Sequence, residues 1–286
     1  MTNAAWSSRA ARVCLIGLVA LGVVPSSVEF TSAAPADVST KEIQFTHGDT
    51  VVQGVVGWNN RVKGKRPAVL VIHSAWGYND HVRERVRQLA EAGYVGYAFD
   101  MGGGGPVETH LEHGEGMSRQ SEDNPMMRAV RFNMAIDQIK RDPHVDPDKI
   151  SAIGYCWGGW MVLNMARAGA DLDAVVTFHG ILTTKNPARR NGIKPKILVL
   201  TGGQDPFVPL QAIEAFRKEM TDANASFEIV TYPGVKHAFT EPYAKNEMIV
   251  LGGVMGPADS RGAAYSEEAD RQSWAAMLKL FKEVYP

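Results

Sequence analysis

The sequence predicts the α/β class, as a mainly parallel twisted sheet with helices on both faces. Short continuous apolar runs, such as AVLVIH at 68–73 and YVGYAFD at 94–100, have the length and side-chain type of strands buried on both faces. Longer segments between them carry apolar residues at helical spacing, and strict strand–helix alternation places the strands in parallel. No internal repeat or long polar linker divides the chain after its first segment, which predicts one domain over 37–286. The 286 residues are 45% apolar and 21% charged, a globular balance that excludes disorder and collagen. With Lys+Arg at 30 and Asp+Glu at 31 the net charge is −1, so no cationic surplus exists for phosphates and nucleic acid is not an expected partner.

The first segment, 1–36, has the pattern of a secretory signal peptide. Arg9 and Arg12 precede an uncharged apolar run at 13–24, and small residues follow through Ala33, Ala34 and Ala36. That run is too short to span a bilayer, which needs ~20 residues. Cleavage after Ala36 or Ala34 fits the small-residue rule, and an uncleaved amphipathic anchor is the alternative. The expected location is secreted or periplasmic, with no membrane partner once the signal is removed. Cys14 would leave with this segment, making Cys156 the one remaining thiol.

The elements then follow in order. Residues 43–45 and 51–58 read as a hairpin, and 68–73 as the first buried strand. Asn79 or Asp80 caps a helix that Gly93 ends. A strand at 94–100, a helix at 125–141, a strand at 149–155 and a helix at 157–167 come next. Strands at 174–178 and 197–201, a helix at 209–220, a strand at 227–232 and a last helix at 266–284 complete the alternation. The stretches 101–124 and 241–264 are long and glycine-studded, so they read as lids or binding loops. Within the first, the imidazoles and carboxylates of 108–115 have a spacing that fits a polar lid better than a metal site, and no metal or organic cofactor is expected.

Chemistry concentrates at strand ends, where ligands sit on such sheets. Gly154-Tyr155-Cys156-Trp157-Gly158 follows an apolar strand and opens a helix, which is a nucleophile elbow with cysteine at its apex. The glycines allow strand and helix to pass closely, and the helix N-terminus favours thiolate. A thiol needs a base, and the base needs an orienting partner. Asp205, ending the next strand but one, and His237, beyond the strand after that, supply them in the chain order nucleophile, acid, histidine. Singly, Asp205 could be a turn residue and His237 a solvated loop residue; their joint placement argues for a triad. His73 and His179, also at strand ends, are rival bases that read as hydrogen-bonded structural histidines. The oxyanion amides are expected from Trp157 and from Ala75, on the loop after the first buried strand. Trp76 and Tyr78 on that loop are expected to wall the pocket, and Trp160 to be core.

Together AVLVIHSAWGYNDHVRERVRQLAEAGYVGYAFD, IGYCWGGW, TGGQDPFVP, GVKHAF and the Tyr265…Trp274 segment resemble the dienelactone hydrolase family, of the α/β-hydrolase fold. The resemblance implies a Cys156–Asp205–His237 triad with Ala75 and Trp157 as oxyanion donors. It also marks two departures. Ser74 stands where the family carries a glutamate that helps control the thiol, and Thr240 stands in a segment where the family carries an arginine for a substrate carboxylate. Ser74 and Thr240 are therefore expected at the substrate, in a pocket favouring uncharged esters. The resemblance implies an exported hydrolase of carboxylic esters or lactones acting through a thioester, with a small-molecule partner and an oligomeric state left open. The alternatives are a non-catalytic or redox-responsive binding protein with one reactive thiol, and a peptidase or acyltransferase on the same scaffold.

Overall fold

The computed structural model describes residues 37–102, 125–244, 248–251 and 254–286. The expected signal segment at 1–36 and the acidic, histidine-bearing run at 108–115 lie outside the described residues. Strands β1 (Val38–His47) and β2 (Thr50–Asn59) form the hairpin, followed by β3 (Arg66–Ile72), α1 (Asp80–Glu91) and β4 (Val95–Phe99). Then come α2 (Pro125–Lys140), β5 (Val145–Tyr155), α3 (Trp157–Arg167), β6 (Ala174–Phe178), β7 (Lys196–Gly202), α4 (Leu210–Asp222) and β8 (Phe227–Tyr232). A small hairpin, β9 (Met248–Leu251) with β10 (Val254–Pro257), and α5 (Glu267–Val284) complete the chain.

The main sheet has eight strands in the order β1-β2-β4-β3-β5-β6-β7-β8. The β1–β2 and β2–β4 pairs are antiparallel, and every pair from β4–β3 onward is parallel. This is the α/β-hydrolase fold.

The period-two geometry of a strand explains why these runs are apolar throughout. In β3, Ala68, Leu70 and Ile72 face the cluster formed with α2, α3 and α4, while Val69 and Val71 face that of α1 and α5. In β7, Ile197 and Val199 take the first side and Leu198 and Leu200 the second. Both faces are dry, so both parities must be apolar.

Helix starts are where the capping chemistry puts them. The Asn79 side chain accepts from the His81 amide to start α1, and the Ser266 side chain accepts from Ala269 to start α5. The stretch 241–264 differs from the sequence expectation of a loop. Its described residues include the β9–β10 hairpin and a 3-10 turn at Asp259–Arg261. Its end also makes a parallel bridge between His237 and Ala263. Glycine-rich composition hid these short pairings.

At the junction of β5 and α3, backbone packs directly against backbone. A Cβ on Gly154 would stand 2.2 Å from the Gly158 carbonyl oxygen, and one on Gly158 would stand 2.3 Å from the Ile72 oxygen. Neither obstacle is a flexible side chain. Gly154→Ala is expected to cost toward the upper end of the ~1–3 kcal/mol typical of overpacking. In urea unfolding the midpoint should fall with the slope unchanged; an unmoved midpoint would mean that the helix can retreat from the strand.

Candidate active site

Between strand and helix, Cys156 takes φ 51° and ψ −112°, a backbone state that a side-chain-bearing residue adopts only when its surroundings enforce it. The enforcement is visible. The Cys156 amide donates to Phe178 O at 3.0 Å and its carbonyl accepts from Trp160 N at 3.1 Å, so the apex is pinned to β6 and to the first turn of α3. The thiol is left half-buried at the C-terminal edge of the sheet.

Cys156 Sγ lies 3.1 Å from His237 Nε2, and His237 Nδ1 lies 2.7 Å from Asp205 Oδ2. The structure thus brings the three predicted residues into one hydrogen-bonded chain, in which the imidazole and the carboxylate are buried. The other Asp205 oxygen accepts from the Phe207 amide at 2.8 Å, fixing the carboxylate plane. The β7 and β8 loops that carry acid and base are laced together by Gly203 N to Tyr232 O and Gln204 N to Val235 O, both 2.8 Å. On its far side His237 is held by the 262–264 segment, through His237 N to Gly262 O at 2.8 Å and Ala264 N to His237 O at 2.9 Å.

Electrostatics follow from burial and neighbours. Burial alone pushes the His237 imidazole down, but thiolate at Cys156 and carboxylate at Asp205 together raise it well above the ordinary histidine range. His179 goes the other way: burial, then the nearby His237 and His81, depress it well below that range and keep it neutral. It sits at φ 42°, with Nε2 2.8 Å from the Thr240 hydroxyl. The His73 ring has Nδ1 2.7 Å from the Ser74 carbonyl oxygen, accepts from the Met101 amide at Nε2 and stacks on Trp157. Both nitrogens being engaged, His73 braces the site.

The expected oxyanion donors lie on either side of this backbone-to-backbone packing. The close approach of Gly158 to the Ile72 and His73 carbonyls brings the end of β3 against the start of α3. Ala75, on the loop after β3, and Cys156 are both partly buried members at the margin of one apolar cluster. The Trp157 amide opens the helix and has no intrahelical acceptor.

The residues expected to touch substrate are placed differently from one another. Trp76 packs with the histidine loop, edge-on to Tyr243 and beside Ala238. Tyr78 instead joins the cluster under α1, where Arg83 covers its ring and its hydroxyl reaches Glu42. Trp160 is core, with its indole N–H on the Thr183 carbonyl. Ser74 is buried, donates to a Glu241 oxygen at 3.3 Å and accepts from the Trp76 amide. Thr240 is fully buried, its hydroxyl on His179 and its carbonyl taking Arg85 Nη2. Both hydroxyls are spent on protein groups.

Glu241 and Tyr243 are the residues that sequence reading passed over. The Tyr243 hydroxyl donates to Glu241 at 3.1 Å and receives Asn79 Nδ2 at 2.9 Å, so a buried carboxyl stands beside Ser74. Its sequence signal was an acid between Thr240 and a proline, four residues past the histidine, inside a run otherwise apolar or small.

An elbow cysteine, a histidine and an aspartate at the ends of β5, β8 and β7 define an α/β-hydrolase of the cysteine-apex kind. Residues 52–285 match the dienelactone hydrolase family, and the chain belongs to that family. It is similar to the solved structure of m3DLH, at 33% identity and TM-score 0.77 over 87% of this chain and 100% of that one. It is also similar to the dienelactone hydrolase-like promiscuous phosphotriesterase P91 from metagenomic libraries, at 31% identity and TM-score 0.78 over 88% of this chain and 100% of that one. A protein of Escherichia coli (strain K12), whose name assigns it by inference carboxymethylenebutenolidase activity, is 28% identical over 77% of this chain and 78% of its own. The protein is thus a hydrolase of the dienelactone or lactone type.

The arrangement predicts how the imidazole titrates. Cys156→Ala removes one cause of the raised His237 pKa and Asp205→Asn another, so each variant should titrate at lower pH than the wild type. Nitrogen chemical shifts of labelled histidine would show it. A His237 transition that stays in place in Cys156→Ala would rule out charge pairing between sulfur and ring.

Proposed function

We propose that the protein hydrolyses carboxylic esters or lactones through a thioester on Cys156, and the unbroken Sγ–imidazole–carboxylate chain is the observation that carries this reading. The Cys156 proton passes to His237 Nε2 and the sulfur attacks the substrate carbonyl carbon. The carbonyl oxygen becomes an oxyanion, met by the amides of Ala75 and Trp157. Collapse expels the alcohol oxygen, which takes the proton back from His237. The acyl group is then a thioester, the leaving group is a free alcohol, and for a lactone the two remain one molecule. Water next gives a proton to His237 Nε2 and its oxygen attacks the thioester. Expulsion of the sulfur, which takes the proton back from His237, releases the acid and restores the resting site. Asp205 keeps the ring oriented with Nδ1–H toward itself and stabilises the imidazolium in both halves.

The buried Glu241 carboxyl behind Ser74, and the engagement of Arg85 by Asp270 and the Thr240 carbonyl, support a preference for uncharged acyl groups. A substrate carboxylate in this neighbourhood would lose hydration without gaining Arg85 as a partner. A panel of p-nitrophenyl esters, with one matched pair differing in a free or methylated carboxylate, tests both points. Cys156→Ala and His237→Ala should each remove nearly all hydrolysis, because the members act as a unit, while Asp205→Asn leaves a small residue. Full activity in Cys156→Ala would end the thiol mechanism, and a tenfold preference for the free carboxylate, ~1.4 kcal/mol, would end the substrate assignment.

Export is the second part of this proposal. Its support is Arg9 and Arg12 ahead of the apolar run 13–24 and the small residues at 32–36. Expressed whole in a bacterium, the protein should be recovered from the periplasm or medium with its N-terminus near residue 37. Sequencing that finds Met1 on the exported protein would overturn it.

A further inference from the structure

The catalytic scheme leaves one fully buried acid unused. The Glu241 carboxyl lies under the loop that carries Ala75 and just beyond the catalytic histidine in the chain. One of its oxygens collects the hydroxyl of Ser74 at 3.3 Å and that of Tyr243 at 3.1 Å. Ser74 Oγ also accepts the Trp76 amide, and Ser74 O accepts the Gly77 amide at 3.0 Å, so this serine shapes the turn around Ala75. Tyr243 is edge-on to Trp76 and receives Asn79, which caps α1. Two segments distant in sequence, 74–79 and 237–243, therefore meet on one carboxyl group.

We propose that Glu241 is a positioning residue of the hydrolytic site, whose neutral carboxyl clamps the oxyanion loop to the histidine loop and whose ionisation weakens oxyanion binding. The proposal rests on the thioester reading above.

The surroundings favour the neutral form. The second Glu241 oxygen has no hydrogen-bond partner among the described residues and stands 4.0 Å from His179 Nε2. It faces His179, just past the end of β6, and Arg85 of α1, whose Nε lies 3.2 Å from His81 Nε2. Burial holds His179 and His81 neutral, while the Arg85 charge is engaged by Asp270 of α5 and the Thr240 carbonyl. From β5 it faces the neutral phenol of Tyr155, and on its own segment His237 and Tyr243. Burial raises Glu241 to about 8, with His237 and the hydroxyls of Tyr243 and Ser74 pulling it back. Below that pH the group is an uncharged acceptor for two hydroxyls. Above it, a negative charge sits behind the loop whose amide must meet an oxyanion, and repulsion opposes the reaction.

The signature is a loss of turnover on the alkaline side that depends on an ionisable group at position 241. In the wild type, kcat for p-nitrophenyl acetate should fall as pH rises through about 8. Glu241→Gln keeps an acceptor for Ser74 and Tyr243 but cannot ionise, so its kcat should not show that fall. Glu241→Ala leaves the hydroxyls without an acceptor and should lower kcat roughly tenfold or more, with KM changing less. Tyr243→Phe removes a donor that favours the carboxylate, so the alkaline fall should move to higher pH. A Glu241→Gln profile that superimposes on the wild type, fall included, overturns the proposal. Should the position-241 variants fail to fold, an unmoved fall in Tyr243→Phe overturns it alone. Cys156→Ala run in parallel separates the two readings: its retention of full activity would refute the thioester scheme itself, whatever the Glu241 profiles show.

Discussion

Everything at this site depends on one contact without side chains, the crossing of α3 over β5 and β3. Gly154 and Gly158 touch backbone to backbone, and Gly158 also lies against the carbonyls of Ile72 and His73. A Cβ on either would run into backbone, and that closeness, with the hydrogen bonds that pin its amide and carbonyl, holds Cys156 at φ 51°. Packing and hydrogen bonds together over-determine the strained apex, which would otherwise relax. Gly159 and Gly180 extend the same logic, since a Cβ on either would collide with the Thr177 hydroxyl. The elbow is thus a place where β3, β5, β6 and α3 are all as close as backbones can be.

From that anchor the remaining parts are positioned by backbone lacing rather than by their own side chains. Acid and base belong to different loops, yet Gly203 and Gln204 donate to carbonyls of the loop that carries His237. The 262–264 segment then closes on both sides of His237. Side-chain freedom at His237 is left to be settled by its hydrogen bonds to sulfur and carboxylate and by the Phe207 and His179 rings against it.

The strands and helices were legible because both signals are physical. Period-two sorting of apolar residues to two dry faces leaves continuous runs, and a glycine on each side of Cys156 has no other use at a strand–helix junction. What the sequence did not show is where side chains on loops turn. Trp76 and Tyr78 are two residues apart on one loop, yet one packs with the histidine segment and the other with α1 and Glu42. Loops have no period, so nothing in the spacing separates them. Ser74 and Thr240 read as substrate contacts because neutral hydroxyls replace charged groups there; both are spent inside the protein. The short β9–β10 hairpin and the His237–Ala263 bridge were illegible for a related reason. Pairing of a few residues is decided by what the rest of the fold brings near, which local pattern does not encode.

A serine at position 74 and a glutamate at 241 are best understood as one arrangement. A carboxyl this deep would be costly as an isolated anion, so the protein must protonate it, pair it or bring it donors. It brings donors, Ser74 and Tyr243, and burial raises the acid toward the neutral form. The same economy governs the imidazoles nearby, for His179 and His81 are uncharged by burial. Arg85, the cation of this neighbourhood, is consumed by Asp270, by a carbonyl and by the rings of Tyr155 and Trp274. Charge near the thiol is thereby concentrated in the Cys156–His237–Asp205 chain, and other ionisable groups close to it are silenced by burial or by a partner. In a low-dielectric setting that separation matters, because an uncompensated neighbour would shift the imidazole as strongly as its own partners do.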